Sequence, residues 1–356
     1  MKRLFSRQQV KADWPSEVPC PIAIVGEAPG EAEARMGRPF VGSSGAYLDR
    51  WLEEAEVDRA ACLVTNVFTE RPPGNDVGAF FVGSNHERAC KTYPKHERGY
   101  LDLRHEYEIE RLGRELLEVQ PRVILAVGGT ALWATTGHGK ITKVRGTILP
   151  SILVPGAKVI ATFHPSFIMR GNQGHDETCI ADIRKAKAFA LGGAEVSKRE
   201  VWINPTLADL MRFEHLYLDS AEIVCYDIET EWKELRLIKC IGIAASPEVA
   251  IVVPFMTEDC KSYWATPQAE VLAWEWVKRI LENPKTRKLA HNTVYDATWL
   301  RDLGIVIQGK PLDSMLQAHA LDPERKKDLG FLGSLHSNEA AWKTMVSHSK
   351  SNKRDS

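Results

Sequence analysis

Two α/β domains in tandem are the fold class the sequence predicts, and three observations predict it. The first half alternates short apolar runs with amphipathic stretches, as strands and helices do when laid into a parallel sheet. Four of those runs are each followed at once by a polar loop rich in glycine, asparagine or proline. Beyond a polar stretch near residue 195 the pattern restarts as three successive strands and then helices, an α+β layout.

The elements follow in order. Residues 22–25 are an apolar run ending at Gly26, and 63–67 are a second. A long polar–apolar helix over about 101–119 precedes the third run, 123–127, and 158–162 is the fourth. The loops behind them are 26–30, 66–75, 128–131 and 164–166. Open parallel sheets place ligand sites at the carboxyl ends of their strands, so this pattern points to one site built from four strand-end loops. A helix over about 178–191, ended by Gly192-Gly193, closes the unit. The domains are therefore expected at 1–195 and 200–337, with a polar tail at 338–356. In the second domain, 223–228, 237–244 and 250–253 read as a β-meander. Val271, Trp274, Val277, Ile280 and Leu281 then mark an apolar helix stripe, 288–291 a short strand and 294–303 a helix.

Composition sets bounds. A chain of 356 residues has room for two cores. With 44% hydrophobic and 26% charged residues it has a globular profile, and a net charge of −1 leaves any surface for a polyanion to local clustering. No stretch approaches the roughly eighteen apolar residues of a membrane span. The first residues lack the apolar core of a secretion signal, so a cytoplasmic location is expected. Seven cysteines, at 20, 62, 90, 179, 225, 240 and 260, include no C-x-x-C pair. A disulfide framework or zinc ribbon is therefore not expected.

The motifs of the first domain are Gly26-Glu27-Ala28-Pro29-Gly30, Gly37-Arg38-Pro39-Phe40-Val41-Gly42, Thr65-Asn66-Val67, Arg71-Pro72-Pro73-Gly74-Asn75, Gly128-Gly129 and His164-Pro165-Ser166. Each alone has an ordinary structural reading: a tight turn, a core aromatic, a loop histidine. In this order, over roughly residues 20–190, they resemble the uracil-DNA glycosylase superfamily, most closely its family 4. The chemistry suits the residues. Phe40 can stack on an extruded pyrimidine, the Asn66 amide matches a uracil edge, and His164 can donate to the charge that develops on uracil O2. The resemblance makes Glu27, Glu33 and His164 the catalytic candidates and Phe40, Asn66 and Ser166 the base-binding ones. Ile168 or Met169 is the expected wedge into the duplex, with Arg170 and Lys143 on phosphates. No aspartate stands at the Ala28 position, where the most active branch has its water-activating one. Family 4 members hold an iron–sulfur cluster on four cysteines, two of them a close pair near the N-terminus. Cys20 stands alone, so no cluster is expected.

In the second domain, Asp227-Ile228-Glu229 puts two carboxylates on one face of a strand, which calls for a cation. With His291-Asn292-Thr293-Val294-Tyr295-Asp296 downstream, the region resembles the 3′→5′ exonuclease domain of family A DNA polymerases, a ribonuclease-H-like α+β fold. The resemblance implies Mg²⁺ or Mn²⁺ on Asp227, Glu229 and Asp296, with Asn292 at the substrate end. The family's third motif, a tyrosine or histidine with an aspartate four residues on, is missing, so nuclease turnover by this chain is not expected. The predicted whole is a three-layer α/β/α glycosylase-like domain joined to an incomplete exonuclease-like domain, as in certain bacteriophage polymerases. Its expected partners are uracil-containing or single-stranded DNA and a separate polymerase chain, in the host cytoplasm. The alternative is a non-catalytic module that recognises uracil or single-stranded DNA for such a polymerase.

Overall fold

The computed structural model describes residues 9–193, 198–231 and 237–337. They form two compact units, one drawn from residues 9–193 and 330–337 and one from residues 198–231 and 237–329. The expected polar tail, 338–356, lies outside the described residues.

The first unit is a five-stranded sheet between two helical layers. Its strands are β1 (Ile22–Gly26), β2 (Leu63–Asn66), β6 (Val123–Val127), β7 (Ile148–Pro150) and β8 (Lys158–Thr162), in the order β2-β1-β6-β8-β7. All pair in parallel except β7, an antiparallel edge beside β8 that the sequence pattern did not reveal. Alternate strand residues enter opposite cores. Ala23, Val25, Leu63, Ile124, Ala126 and Val159 pack with Leu112, Leu116 and Leu132, from α3 (Glu106–Val119) and α4 (Gly129–Thr136). Ile24, Val64, Leu125, Val127 and Ile160 pack with Leu48, Trp51 and Leu52 of α2 (Ser43–Glu54) and Ile180 and Ile183 of α7 (Asp176–Ala190). Burial on both faces is why these strands read as unbroken apolar runs.

The helix expected from about residue 101 begins at Glu106. Tyr100–Asp102 is instead β5, the middle of a small sheet between β3 (Phe81–Val82) and β4 (Ala89–Cys90). Fully buried Asp102 explains the stop. It accepts hydrogen bonds from the Arg88 and Arg104 guanidiniums and from the Arg104 backbone, and these hold its carboxyl below the usual carboxylate range against the cost of burial.

The second unit is a six-stranded sheet, β14-β13-β10-β11-β12-β9. The meander is β10 (Ile223–Glu231), β11 (Leu237–Ala244) and β12 (Val249–Pro254), with β9 (Glu200–Trp202), β13 (Arg287–Ala290) and β14 (Pro311–Asp313) added in parallel. Val224, Tyr226, Ile228, Ile241, Ile243, Ile251 and Val253 share a core with Ala273, Trp276, Val277 and Ile280 of α9 (Pro267–Leu281). Val271 of the expected stripe is instead 56% exposed. The helix expected over 294–303 is α10 (Thr293–Asp302).

One boundary differs from the sequence reading. Most of α12 (Leu329–His336) belongs to the first unit, although the reading placed it in the second domain. Arg145 Nη2 donates to Ser334 Oγ at 2.5 Å, and Lys185 Nζ donates to the Ser334 and Ser337 carbonyls. The anchor is a buried pair, Arg145 Nη1 to Asp182 Oδ1 at 2.5 Å, with the guanidinium over the Phe163 and Phe331 rings. Burial raises the Asp182 carboxyl to about 6, with Arg145 opposing, and lowers the Lys185 ammonium to about 8.

Candidate functional site

A cleft of about 840 Å³ opens at the carboxyl ends of β1, β2, β6 and β8. The chain leaves β1 toward β2 and returns to β6 on the other side of β1, so the strand order reverses between β1 and β6. A crevice is expected at such a reversal.

Three lining groups come from the ends of β1, β2 and β8, and a fourth, Phe40, from the loop before α2. Asn66 ends β2, and its backbone is fixed by Arg111, whose Nη2 donates to the Asn66 carbonyl at 2.6 Å and the Val67 carbonyl at 3.0 Å. Arg111 is itself held by Glu108 and Glu115 on the same helix. Phe40 has a left-handed backbone, φ 51°, a conformation costing a bulky residue about 1–3 kcal/mol. Arg59 offsets this by donating to the Phe40 and Pro39 carbonyls at 3.1 and 2.8 Å. Gly45 does the same by its smallness, since a Cβ there would lie 2.0 Å from the Phe40 carbonyl oxygen. The ring is thereby brought to 6.1 Å from the His164 ring, centre to centre.

His164 precedes the short helix α6 (Pro165–Met169). Its Nδ1 accepts the Ser166 backbone N–H at 3.2 Å and lies 2.8 Å from Ser166 Oγ. A ring nitrogen that accepts an N–H carries no proton, so the neutral ring carries its proton on Nε2. Burial first, and the Arg170 charge second, lower the His164 pKa to about 4 against the opposing effect of Glu33. At neutral pH the ring is an uncharged Nε2–H donor.

Glu27 follows β1, and its Oε2 accepts the Thr130 hydroxyl at 2.5 Å. Burial raises the pKa of this carboxyl, opposed by the Thr130 bond and Arg98, while Asp76 and Glu97 add to the rise. Glu33 also lines the cleft, but both its oxygens are engaged: Oε2 accepts the Gly30 N–H at 3.1 Å and Oε1 the Gly42 N–H at 2.9 Å. Through these two bonds it clamps the two glycine turns together.

Two further expectations are corrected. Ile168 is fully buried in the core, so it cannot serve as a wedge, whereas its neighbour Met169 is 40% exposed. Lys143 does not line the cleft, but Lys140 does, with Arg170 and Arg98. The sequence reading also missed Thr130 and His96. His96 is stacked on Phe81 at 4.3 Å, and burial lowers its pKa to about 4. Gly-Gly-Thr reads only as a helix start, and His96 has no motif around it.

The iron–sulfur cluster implied by the family-4 resemblance requires four converging thiolates. Cys20, Cys62 and Cys90 donate to the Ile22 carbonyl, the Asp58 carbonyl and Glu106 Oε1. Burial pushes the Cys62 and Cys179 thiols up to about 12. Among the described residues no three His, Cys, Asp or Glu side chains are grouped to hold a metal ion. The donor set does not fit the cluster.

The metal expectation for the second unit meets the same test. Asp227 and Glu229 are exposed on one face of β10. Asp296 is buried on α10, its Oδ1 accepts the Ile228 N–H at 3.1 Å, and burial together with Asp227 raises its carboxyl to about 6. Asn292 has φ 66° at the start of α10. Asp313 is occupied as a cap, accepting the N–H groups of Asn292, Thr293, Met315 and Leu316. The charge needed for a cation is present, but among the described residues no three such side chains are grouped to hold one.

No helix among the described residues is long and apolar enough to cross a membrane. The model of the uracil DNA glycosylase superfamily matches residues 16–186. A type-4 uracil-DNA glycosylase of Thermotoga maritima is 36% identical over 171 residues, covering 47% of this chain and 77% of the relative. One of Pyrobaculum aerophilum is 31% identical over 156 residues, covering 42% and 68%. Among solved structures, Trypanosoma brucei RNase D is similar with a TM-score of 0.27 and 19% identity, over 33% of this chain and 39% of that one. The EXD2 exonuclease domain soaked in Mn and GMP has a TM-score of 0.25 and 20% identity, over 33% and 58%. The stretch matched by the family model carries Glu27, Phe40, Asn66 and His164, and through it the chain belongs to the uracil-DNA glycosylase superfamily.

Proposed function

We propose that the first unit excises uracil from DNA by hydrolysing the bond between base and sugar. The observation that carries this reading is the convergence on one cleft of Glu27, Asn66 and His164, from three strand ends, and Phe40, from the loop before α2. An extruded uracil stacks on Phe40. The Asn66 amide accepts from N3–H and donates to O4, which cytosine, with its amino group, cannot match. As the glycosidic bond lengthens, negative charge grows on O2 and His164 Nε2–H donates to it. An uncharged donor that does not have to reorganise is well suited to that task. Glu27 faces the sugar, which gains oxocarbenium character, and takes the proton of the attacking water. Glu33 holds the loops that carry this constellation. Met169 fills the space left in the duplex, and Arg170 and Lys140 meet phosphates.

The second unit is proposed as a nuclease-like fold that does not turn over, since its described carboxylates are not grouped to hold a metal ion. A replication setting, a bacteriophage origin and a polymerase partner are proposed from the order of the two sequence blocks. Co-elution with a polymerase chain tests the partnership.

The test of the main reading uses end-labelled DNA with one uracil, incubated with EDTA or with magnesium and then treated with alkali. Cleavage at the uracil in EDTA, lost in His164→Ala and Asn66→Ala, is the expected result. Tight binding to the uracil strand without an abasic product would overturn it, and laddering from the 3′ end in magnesium would overturn the reading of the second unit.

A further inference from the structure

We infer that Thr130 is a positioning residue that aims the Glu27 carboxylate at the attacking water, a role that rests on the reading of Glu27 above. Thr130 lies in the first turn of α4, directly across the strand reversal from Glu27. It is 2% exposed, so its hydroxyl has little access to solvent. A hydroxyl has one proton to donate, and here that proton goes to Oε2 over 2.5 Å, a charge-assisted length. Threonine χ1 on a helix is confined to two wells, so the backbone of α4 limits where the hydroxyl oxygen can sit. One Glu27 oxygen is thus pinned, and Oε1 is left for water.

The bond also bears on ionisation. Burial works against the charged form of Glu27, as do Asp76 and Glu97 across the cleft, while Arg98 favours it. Glu33, His164 and Arg170 line the same cleft. Of the influences that favour the ionised form, the Thr130 hydroxyl is the largest. Its removal therefore penalises the ionised carboxylate most where protons are abundant.

The test is single-turnover excision of uracil from a single-stranded oligonucleotide across pH, with T130V, T130S and E27Q, each checked for an unchanged thermal melt. T130V should lose about tenfold at the acid end, the worth of one hydrogen bond to a charged group. Its loss at the alkaline end should be smaller, and T130S should restore the profile. A T130V profile with the shape of the wild type, whether lowered uniformly or not at all, would overturn the proposal. An active E27Q would remove the reading of Glu27 and this proposal with it. An inactive E27Q beside an unshifted T130V profile would remove the role of Thr130 alone.

Discussion

Gly26→Ala tests the site geometry with a single methyl group. Gly26 ends β1 and is buried, and its φ is not in the positive range, so alanine is allowed by the backbone. Space is what forbids it. A Cβ would lie 2.2 Å from Asn66 Oδ1 and 2.6 Å from both Cε2 and Cζ of Phe40. Ordinary contacts between such atoms are about 3.5 Å, so each side chain has to retreat by about 1 Å. Both line the cleft, so the shift changes its shape. Overpacking of this kind costs about 1–3 kcal/mol of stability, at the low end where side chains can move. For catalysis the same shift is severe, since a misplacement of about 1 Å costs on the order of a hundredfold. Urea unfolding combined with single-turnover excision separates the two effects. A modest loss of stability beside a roughly hundredfold loss of excision is expected. Wild-type excision by G26A would refute the assignment of Asn66 and Phe40 as the groups that hold the base.

Other perturbations probe the rest of the molecule. Ile168→Ala should lose about 2–5 kcal/mol in urea unfolding, as a buried aliphatic does, while Met169→Ala should leave stability within about 0.5 kcal/mol and slow excision from duplex more than from single strands. His96 has a folded pKa of about 4, below its unfolded value of 6.5. The unfolded chain therefore binds the extra proton between those values, and stability falls as pH drops from 6.5 to 4. His96→Phe, which retains the stacking on Phe81, should flatten that part of a stability–pH curve. Arg145→Met leaves Asp182 buried and unpaired and should lose about 3–5 kcal/mol by urea unfolding, much of it regained in the double variant with Asp182→Leu. Protein purified anaerobically should contain no stoichiometric iron by elemental analysis.

Much of the site was legible in the sequence because its parts sit where strands end. There apolar runs give way to glycine, asparagine and histidine, and the change of composition is itself the signal. Asn66 and His164 stood out for that reason. Thr130 did not, because Gly-Gly-Thr says helix start, and the partner of its hydroxyl is 103 residues away. The choice between Ile168 and Met169 depended on which way a single helical turn faces, which five residues cannot encode by periodicity. Lys140 and Lys143 differ in the same way, by a loop geometry invisible to spacing. The left-handed backbone of Phe40 was also hidden, since it is imposed by Arg59 and by the room beside Gly45.

The return of residues 330–336 to the first unit makes the second an insertion rather than an appendage. A gene cut at residue 195, where the composition changes, would leave Arg145 and Lys185 without the Ser334 and Ser337 oxygens that receive their protons. On the ribosome the same dependence becomes a matter of timing. The sheet and its cleft can form once β8 and α7 have emerged, but the closing turn arrives only after another 133 residues, 197–329, have been made. The sheet laid down before the inserted unit is therefore completed by a turn made after it.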